Sequence, residues 1–154
     1  MVATKTKSLT KSFKRGFSDY DDKSVTLMLP ILTVSEANGG ARKMNAATGK
    51  ARGEYWTEKA KRHKQQKGIV ALYLNSHKSA LSLPCLITLT RYAPHKLDKH
   101  DNLPMSMKWI LDAICAIITG DFRPGRADDS DQIDVIYRQE ISAEYGVGVK
   151  IESN

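Results

Sequence analysis

Five aspartates flank one apolar segment of the chain. Asp98 and Asp101 stand in the stretch KLDKHDNL, and Asp128, Asp129 and Asp131 stand in RADDSDQID, one predicted helix later. Carboxylates brought together repel one another unless a cation joins them, and oxygen ligands favour a hard ion such as Mg²⁺, which Mn²⁺ could replace. We expect the connection between the two stretches to fold its ends together at a sheet. The pattern therefore predicts a magnesium site.

A lysine is predicted to lie on the same helical face as one of these acids. If Asp101 is the N-cap of the helix, positions 101, 105, 108 and 112 return to one side at 3.6 residues per turn. Lys108 and Asp112 interrupt a segment that is otherwise apolar or small. These two charges should pair with each other or line a cleft. In a cleft, Lys108 could hold a phosphate, whereas an i,i+4 ion pair at a solvated edge would be structural only.

The charge distribution favours a phosphate polymer as the partner. The formal net charge is +7, and residues 1–67 carry 15 basic against 6 acidic side chains, while residues 121–154 carry 4 against 8. A basic surface attracts nucleic acid, although lysines of this kind also serve as a solubilising face. A basic protein with an acidic metal site suits phosphodiester hydrolysis of DNA. The basic side chains predicted to contact DNA are Arg42, Lys43, Lys50, Arg52, Lys59, Arg62 and Lys99.

The apolar pattern predicts one α/β (α+β) domain with helices packed on a mixed sheet. The runs VTLMLP, IVALYLNS, LPCLITLTRYAP, QIDVIYRQEI and GVGVKIES predict strands, the second and third as an antiparallel pair. EYWTEKAKRHKQQK predicts a helix with a narrow apolar stripe at Tyr55, Trp56 and Ala60. A second helix is predicted over Asn102 to Thr119, ending at Gly120. The order is thus β, α, β, β, α, β, β, with residues 1–24 as a flexible basic arm before a domain over 25–154.

Several other classes of protein do not fit the sequence. It contains no Walker phosphate loop, no nucleophile-elbow serine and no calcium-loop pattern. His95, His100 and Cys85 do not have the spacing of a known zinc-ligand motif. No apolar run is long enough to cross a bilayer, and the basic N-terminus has no signal-peptide core behind it. We expect a soluble cytoplasmic protein with no membrane partner. Cys85 and Cys115 are then core side chains in a reducing compartment.

The order LITLTRYAPHKLDKHDNL, KWILDAI and DDSDQIDVIYRQE resembles the RusA-type Holliday junction resolvases, small endonucleases common in phages and prophages. The similarity spans roughly residues 25–152. It implies a RusA-like mixed α/β fold and a homodimer that uses Mg²⁺ and clustered aspartates to cut four-way DNA junctions symmetrically. Such an enzyme would serve DNA recombination and repair in the cytoplasm of a bacterial or phage-infected cell.

The resemblance also implies roles for individual residues. Asp101 of DNL and Asp129 of DDSD match metal-binding catalytic acids, and Asp98 matches the metal-binding aspartate that precedes them. Lys108 matches the essential catalytic lysine. The family usually has one residue between its first two acids, whereas two residues separate Asp98 from Asp101 here, and either Asp128 or Asp129 could take the later role. The alternative function is a catalytically silent DNA-binding protein of the same fold, in which the aspartates only cap and pair.

Overall fold

A mixed sheet forms the centre of the computed structural model, which describes residues 20–21, 24–36, 43–123 and 130–153. Its strands are β1 (Tyr20–Asp21), β2 (Ser24–Leu29), β5 (Cys85–Ala93), β6 (Ile133–Ile141) and β7 (Gly146–Ser153), in the order β1-β2-β7-β5-β6. Only β5 and β6 are parallel among these neighbours. A separate hairpin joins β3 (Lys43–Met44) to β4 (Ala51–Arg52). The helices are α1 (Trp56–Leu74) and α2 (Asn102–Thr119), and a 3₁₀ helix spans Asn75–Ala80.

The core lies between one face of the sheet and the helices. Alternating apolar residues of β2 are buried and face buried residues of β7, for example Leu27 opposite Val149. Leu89 of β5 continues the same row. The other face of these strands is more polar, with Lys150 exposed on β7. This alternation is typical of a sheet with one buried face.

α2 is the most deeply buried helix, and its predicted limits are confirmed. Met107, Ile110 and Ile114 are fully buried within the apolar segment that predicted it. The helix ends at Gly120, which has the left-handed conformation (φ 71°) and whose N–H bonds to the Ala116 carbonyl at 2.9 Å. Glycine suits this position because a side chain would strain the backbone there.

The strand predicted for IVALYLNS is wrong. These residues belong to the second half of α1 and the start of the 3₁₀ helix. Gln66, Val70 and Leu74 are the buried residues of α1, and their spacing of four is that of a helix rather than a strand. β5 therefore pairs with β6 and β7 instead of with this segment, and the predicted element order fails at this point.

The fold class itself is confirmed, since the chain forms a small mixed α+β domain. Of the predicted N-terminal arm, β1 and Ser24 pair with the sheet, and the remaining residues lie outside the described ranges. None of the described helices combines the length and apolarity needed to cross a membrane. Cys85 and Cys115 are both buried, and burial, together with the nearby Asp134, raises the pKa of the Cys85 thiol.

Replacing Ile114 with alanine should lower the free energy of unfolding by about 2 to 5 kcal/mol, because the change leaves a cavity under α2. Urea denaturation measures this loss. Leu72→Ala is the matched control, since Leu72 is a 76 % exposed apolar residue on α1, and its effect should stay within about 0.5 kcal/mol. Equal losses in the two variants would contradict the packing described for α2.

Candidate metal and nucleic-acid site

Asp98 organises the loop that leads into α2. Its Oδ2 atom accepts hydrogen bonds from the backbone N–H groups of Asp101 at 2.9 Å and Asn102 at 3.3 Å, and its Oδ1 atom accepts one from His100 at 3.4 Å. These three hydrogen bonds lower the pKa of Asp98, and the bond from Asp101 has the largest effect. The first N–H groups of a helix have no partner within the helix, so a carboxylate here stabilises its start. Asp98 is thus engaged in holding the loop.

Asp101 presents its carboxylate to solvent. It occupies the N-cap position of α2 as predicted, but its side chain makes no capping bond. Within the described residues, no hydrogen bond or ion pair engages this carboxylate. Its oxygens are therefore available to a cation, and carboxylate oxygen is the donor type that Mg²⁺ prefers.

Lys108 and Asp112 form the ion pair that the sequence allowed. The Nζ atom of Lys108 lies 3.8 Å from Oδ1 of Asp112, with the lysine side chain 44 % exposed and the aspartate 24 % exposed. An ion pair this long and this exposed contributes little to stability. Lys108 lies on the same face of α2 as Asp101, with its side chain 44 % exposed.

Asp98 and Asp131 lie near opposite ends of β6. Leu97, just before Asp98, exchanges hydrogen bonds of 2.9 and 2.8 Å with the side chain of Gln139, near the end of β6. Asp131 precedes Ile133, the first residue of β6. Ile133 and Gln139 are six residue steps apart along β6, a distance of about 20 Å. The expectation that the connection brings its ends together is wrong for the described residues.

The predicted later acids, Asp128 and Asp129, lie outside the described residues. Among the residues that are described, no group of three or more His, Cys, Asp or Glu side chains could hold a metal ion. The donor chemistry of Asp101 fits Mg²⁺, but the described part of one chain brings too few carboxylates to it. A Mg²⁺ site at Asp101 would need ligands from beyond these described residues.

A buried ion cluster connects the loop after β2 to α1. It consists of Glu36, Glu54, Lys59, Arg62 and His63, called here the Glu36 cluster. The Glu36 carboxylate lies 2.5 Å from Arg62, 3.0 Å from His63 and 3.1 Å from Lys59, and Arg62 also contacts Glu54 at 2.7 Å. Burial would raise the pKa of Glu36, but the hydrogen bonds from Arg62, His63 and Lys59 outweigh burial and lower it to about 2. Glu36 therefore stays ionised at neutral pH.

Residues 94–101, between β5 and α2, are called here the Asp98 loop. Residues 31–36 form hydrogen bonds with the segments on both sides of this loop. The Ser35 hydroxyl donates a hydrogen bond to Oδ1 of Asn102 at the start of α2. The buried guanidinium of Arg91 donates bonds to Thr33 Oγ1 at 2.8 Å and to the His95 carbonyl at 2.7 Å. The loop before Asp101 is thus held by neighbours that are distant in sequence.

α1 also packs against α2 through an aromatic contact. The His63 ring stacks on Trp109 with centroids 4.2 Å apart, and Lys67 Nζ lies 5.1 Å from the Trp109 ring centroid. Because His63 also contacts Glu36, this stack joins the Glu36 cluster to the residue that follows Lys108. The cluster and α2 therefore hold each other in place.

The predicted DNA-contacting side chains divide into exposed and engaged groups. Lys50 on the β3–β4 hairpin and Lys99 in the Asp98 loop are exposed. Lys59 contacts Glu36, and Arg62 is only 14 % exposed between two carboxylates. This arrangement favours a structural role for Arg62. Arg42 lies outside the described residues, and the side chain of Lys43 is not described.

The predicted apolar stripe of α1 is also wrong. Tyr55 and Trp56 are 59 % and 80 % exposed, and Ala60 is exposed as well. The first half of α1 is charged on nearly all sides, so the sequence offered no strong apolar face that could indicate its orientation. The roles of Glu36 and Arg91 in holding the loops of the site were likewise not predicted from the sequence.

Comparison with known proteins adds no family to this geometry. No protein-family model matches the sequence, and no curated protein shows significant similarity to it. The function is therefore argued from the residues themselves.

Glu36→Gln should lower the free energy of unfolding by about 3 kcal/mol at neutral pH, because it leaves buried cations without their carboxylate. The charge of Glu36 stabilises the fold fully above its unfolded pKa of 4.5, and that contribution is lost as pH falls towards the folded pKa of about 2. The difference between wild type and variant should therefore shrink between about pH 5 and pH 2.

Urea unfolding at several pH values in this range measures that difference. Glu152→Gln is the control, because Glu152 forms an exposed ion pair with Lys150 at 2.7 Å, and such pairs contribute little. A difference between wild type and Glu36→Gln that is constant across the range would contradict the charged state assigned to Glu36.

Proposed function

We propose that the chain is a Mg²⁺-dependent, structure-selective endodeoxyribonuclease of the RusA type that resolves four-way DNA junctions as a homodimer. The observation that carries this proposal is the position of Asp101. Its carboxylate is presented to solvent by a loop that Asp98 holds, at the start of a helix that carries Lys108 on the same face. The resemblance of DNL and DDSD to the family, and the basic surface, support the same function.

Each residue has a distinct role in this proposal. Asp101 and Asp129 would hold Mg²⁺, which when bound lowers the pKa of a water ligand and stabilises negative charge on the phosphodiester. Asp98 acts as a positioning residue, since its oxygens already accept three backbone hydrogen bonds. Lys108 holds a phosphate oxygen of the DNA, and Asp112 orients the lysine.

The topology favours a site built from two chains. Asp129 precedes Asp131 by two residues, and two residues span at most about 7 Å. Gln139, which contacts Leu97 beside Asp98, and Ile133, which follows Asp131, are about 20 Å apart along β6, and this separation supports a pairing of Asp101 with Asp129 of a second chain. In the proposed dimer, Asp101 of one chain and Asp129 of the other share a cation. Twofold symmetry then gives two equal sites, which suits two symmetric cuts in a junction.

The exposed cations would position the DNA. Lys50, Lys99 and the basic residues before β2 contact phosphates, which release counterions when the complex forms. Lys59 and Arg62 serve mainly to neutralise Glu36 and Glu54. Binding should therefore weaken steeply as salt is added.

Incubating a labelled synthetic four-way junction with the protein, with and without Mg²⁺, tests the activity. Wild type should cut only with the metal, and Mn²⁺ should also support cutting. Asp101→Asn should abolish cleavage, because the amide keeps the volume but removes the charge that recruits the cation. Lys108→Ala should slow cleavage, whereas Asp98→Asn should retain a larger part of the rate because it still offers one oxygen to the loop.

Junction binding is the control for these variants. Asp101→Asn should bind the junction at least as tightly as wild type, since removing a negative charge does not weaken attraction to phosphate. Binding without cleavage in either metal by the wild-type protein would favour the silent DNA-binding alternative.

A mixed dimer tests whether the site is shared. In a heterodimer of Asp101→Asn and Asp129→Asn chains, purified through two different tags, one shared site contains both substitutions and the other contains neither. This heterodimer should cut one strand, although each parent homodimer is inactive. The control heterodimer of Asp101→Asn and Lys108→Ala should not recover wild-type cutting at either site. Those two residues lie on the same helix face of one chain, so each site then contains one substitution. Equal inactivity of both heterodimers would contradict the shared site.

A further inference from the structure

The start of α1 exposes two aromatic rings side by side in the sequence. Trp56 is 80 % exposed and Tyr55 is 59 % exposed. Single exposed apolar residues are common, but adjacent exposed aromatic rings offer flat surfaces for a planar ligand. Together with Arg52 they form what is called here the aromatic patch.

The neighbouring hairpin holds one side of the patch in place. The Arg52 guanidinium carbon lies 4.1 Å above the centre of the Tyr55 ring, and Arg52 also lies 3.5 Å from Glu58. The hairpin turn is closed by Asn45, whose Oδ1 atom accepts bonds from the N–H groups of Ala47 at 2.9 Å and Thr48 at 3.2 Å. Tyr55 is therefore oriented before any ligand binds, which lowers the entropy cost of binding.

The charge around the patch selects the kind of ligand. Residues 43–61 contain five basic and two acidic side chains. Both acids are engaged within the chain, Glu54 with Arg62 at 2.7 Å, and Glu58 with Arg52 and with the Tyr55 N–H at 3.2 Å. An aromatic surface within a basic border is complementary to a nucleic-acid strand, since bases stack on the rings while phosphates approach the cations.

We propose that the aromatic patch binds an unpaired base of DNA by stacking on Trp56, with Lys50 near a flanking phosphate. A base inside a perfect duplex has both faces covered by its neighbours, whereas bases at a branch point, a bulge or a single strand expose one. The patch thus provides selectivity for interrupted DNA. This inference rests on the proposed function only in taking DNA as the partner, because stacking needs neither Mg²⁺ nor Asp101.

Binding measured in EDTA separates the patch from catalysis. Three fluorescent probes of equal total nucleotide number are compared by anisotropy: an oligo(dT) strand, a duplex with a three-nucleotide bulge, and a perfect duplex. Trp56→Ala should weaken binding to the first two by about tenfold, as loss of one stacked base predicts, and leave binding to the perfect duplex unchanged. Trp56→Phe should retain most of the affinity, since it keeps an aromatic face.

Leu72→Ala is the matched control, because Leu72 is a similarly exposed apolar residue near the other end of the same helix. It should bind all three probes like wild type. Tryptophan fluorescence adds a direct readout. Oligo(dT) should quench the emission of wild type, while Trp56→Phe, which keeps only Trp109, should show no quenching.

Three results would overturn the proposal. Unchanged binding of Trp56→Ala to all probes would show that the ring does not meet DNA. An equal loss on the perfect duplex would show that Trp56 does not distinguish unpaired bases. A change of Trp56→Ala in molar mass by light scattering would assign the patch to a protein interface. A protein that cuts no junction but shows the expected pattern would leave the patch valid and the nuclease proposal refuted.

Discussion

Parallel pairing of β5 and β6 determines where Asp98, Asp101 and Asp131 lie relative to one another. A connection between parallel strands must return along the full length of the sheet, and α2, about 27 Å long, makes that return. Asp98 and Asp101, after β5, are therefore separated from Asp131, before β6, by a distance that no side chain spans. The same constraint buries α2, because the helix must cross the face of the sheet. The fold thus keeps Asp98 apart from Asp131, although the connection between them was expected to bring its ends together.

The Glu36 cluster shows that part of the basic composition serves the fold and is not available as positive surface. The N-terminal half carries many more cations than anions, but Lys59, Arg62 and His63 converge on buried carboxylates. The charges of Lys59 and Arg62 are largely neutralised within the protein. Among the residues that the structure describes, the exposed cations include Lys50 on the hairpin, Lys99 in the Asp98 loop, and Lys61, Lys64 and Lys67 on α1.

The sequence predicted those parts of the fold that depend on local pattern. α2 and the strands β2, β5, β6 and β7 follow from apolar periodicity and from Gly120 at the helix end. The segment after Lys67 was assigned wrongly because a short apolar run suits a strand or a helix equally. Gln66, just before this segment, is polar yet buried, and its side-chain amide donates a bond of 3.4 Å to the Leu32 carbonyl. The role of Asp98 depends on backbone geometry, and the Ser35–Asn102 contact joins residues 67 apart, so neither could be predicted from residue type.

The burial of both cysteines has a practical consequence for studying the protein. Cys85 and Cys115 are 4 % and 0 % exposed, and the raised pKa of Cys85 keeps its thiol protonated at neutral pH. Because the thiolate is the reactive form, maleimide reagents should leave these native thiols untouched while the protein is folded. A cysteine introduced on the surface could then carry a fluorophore or spin label at a single site, without prior removal of native residues.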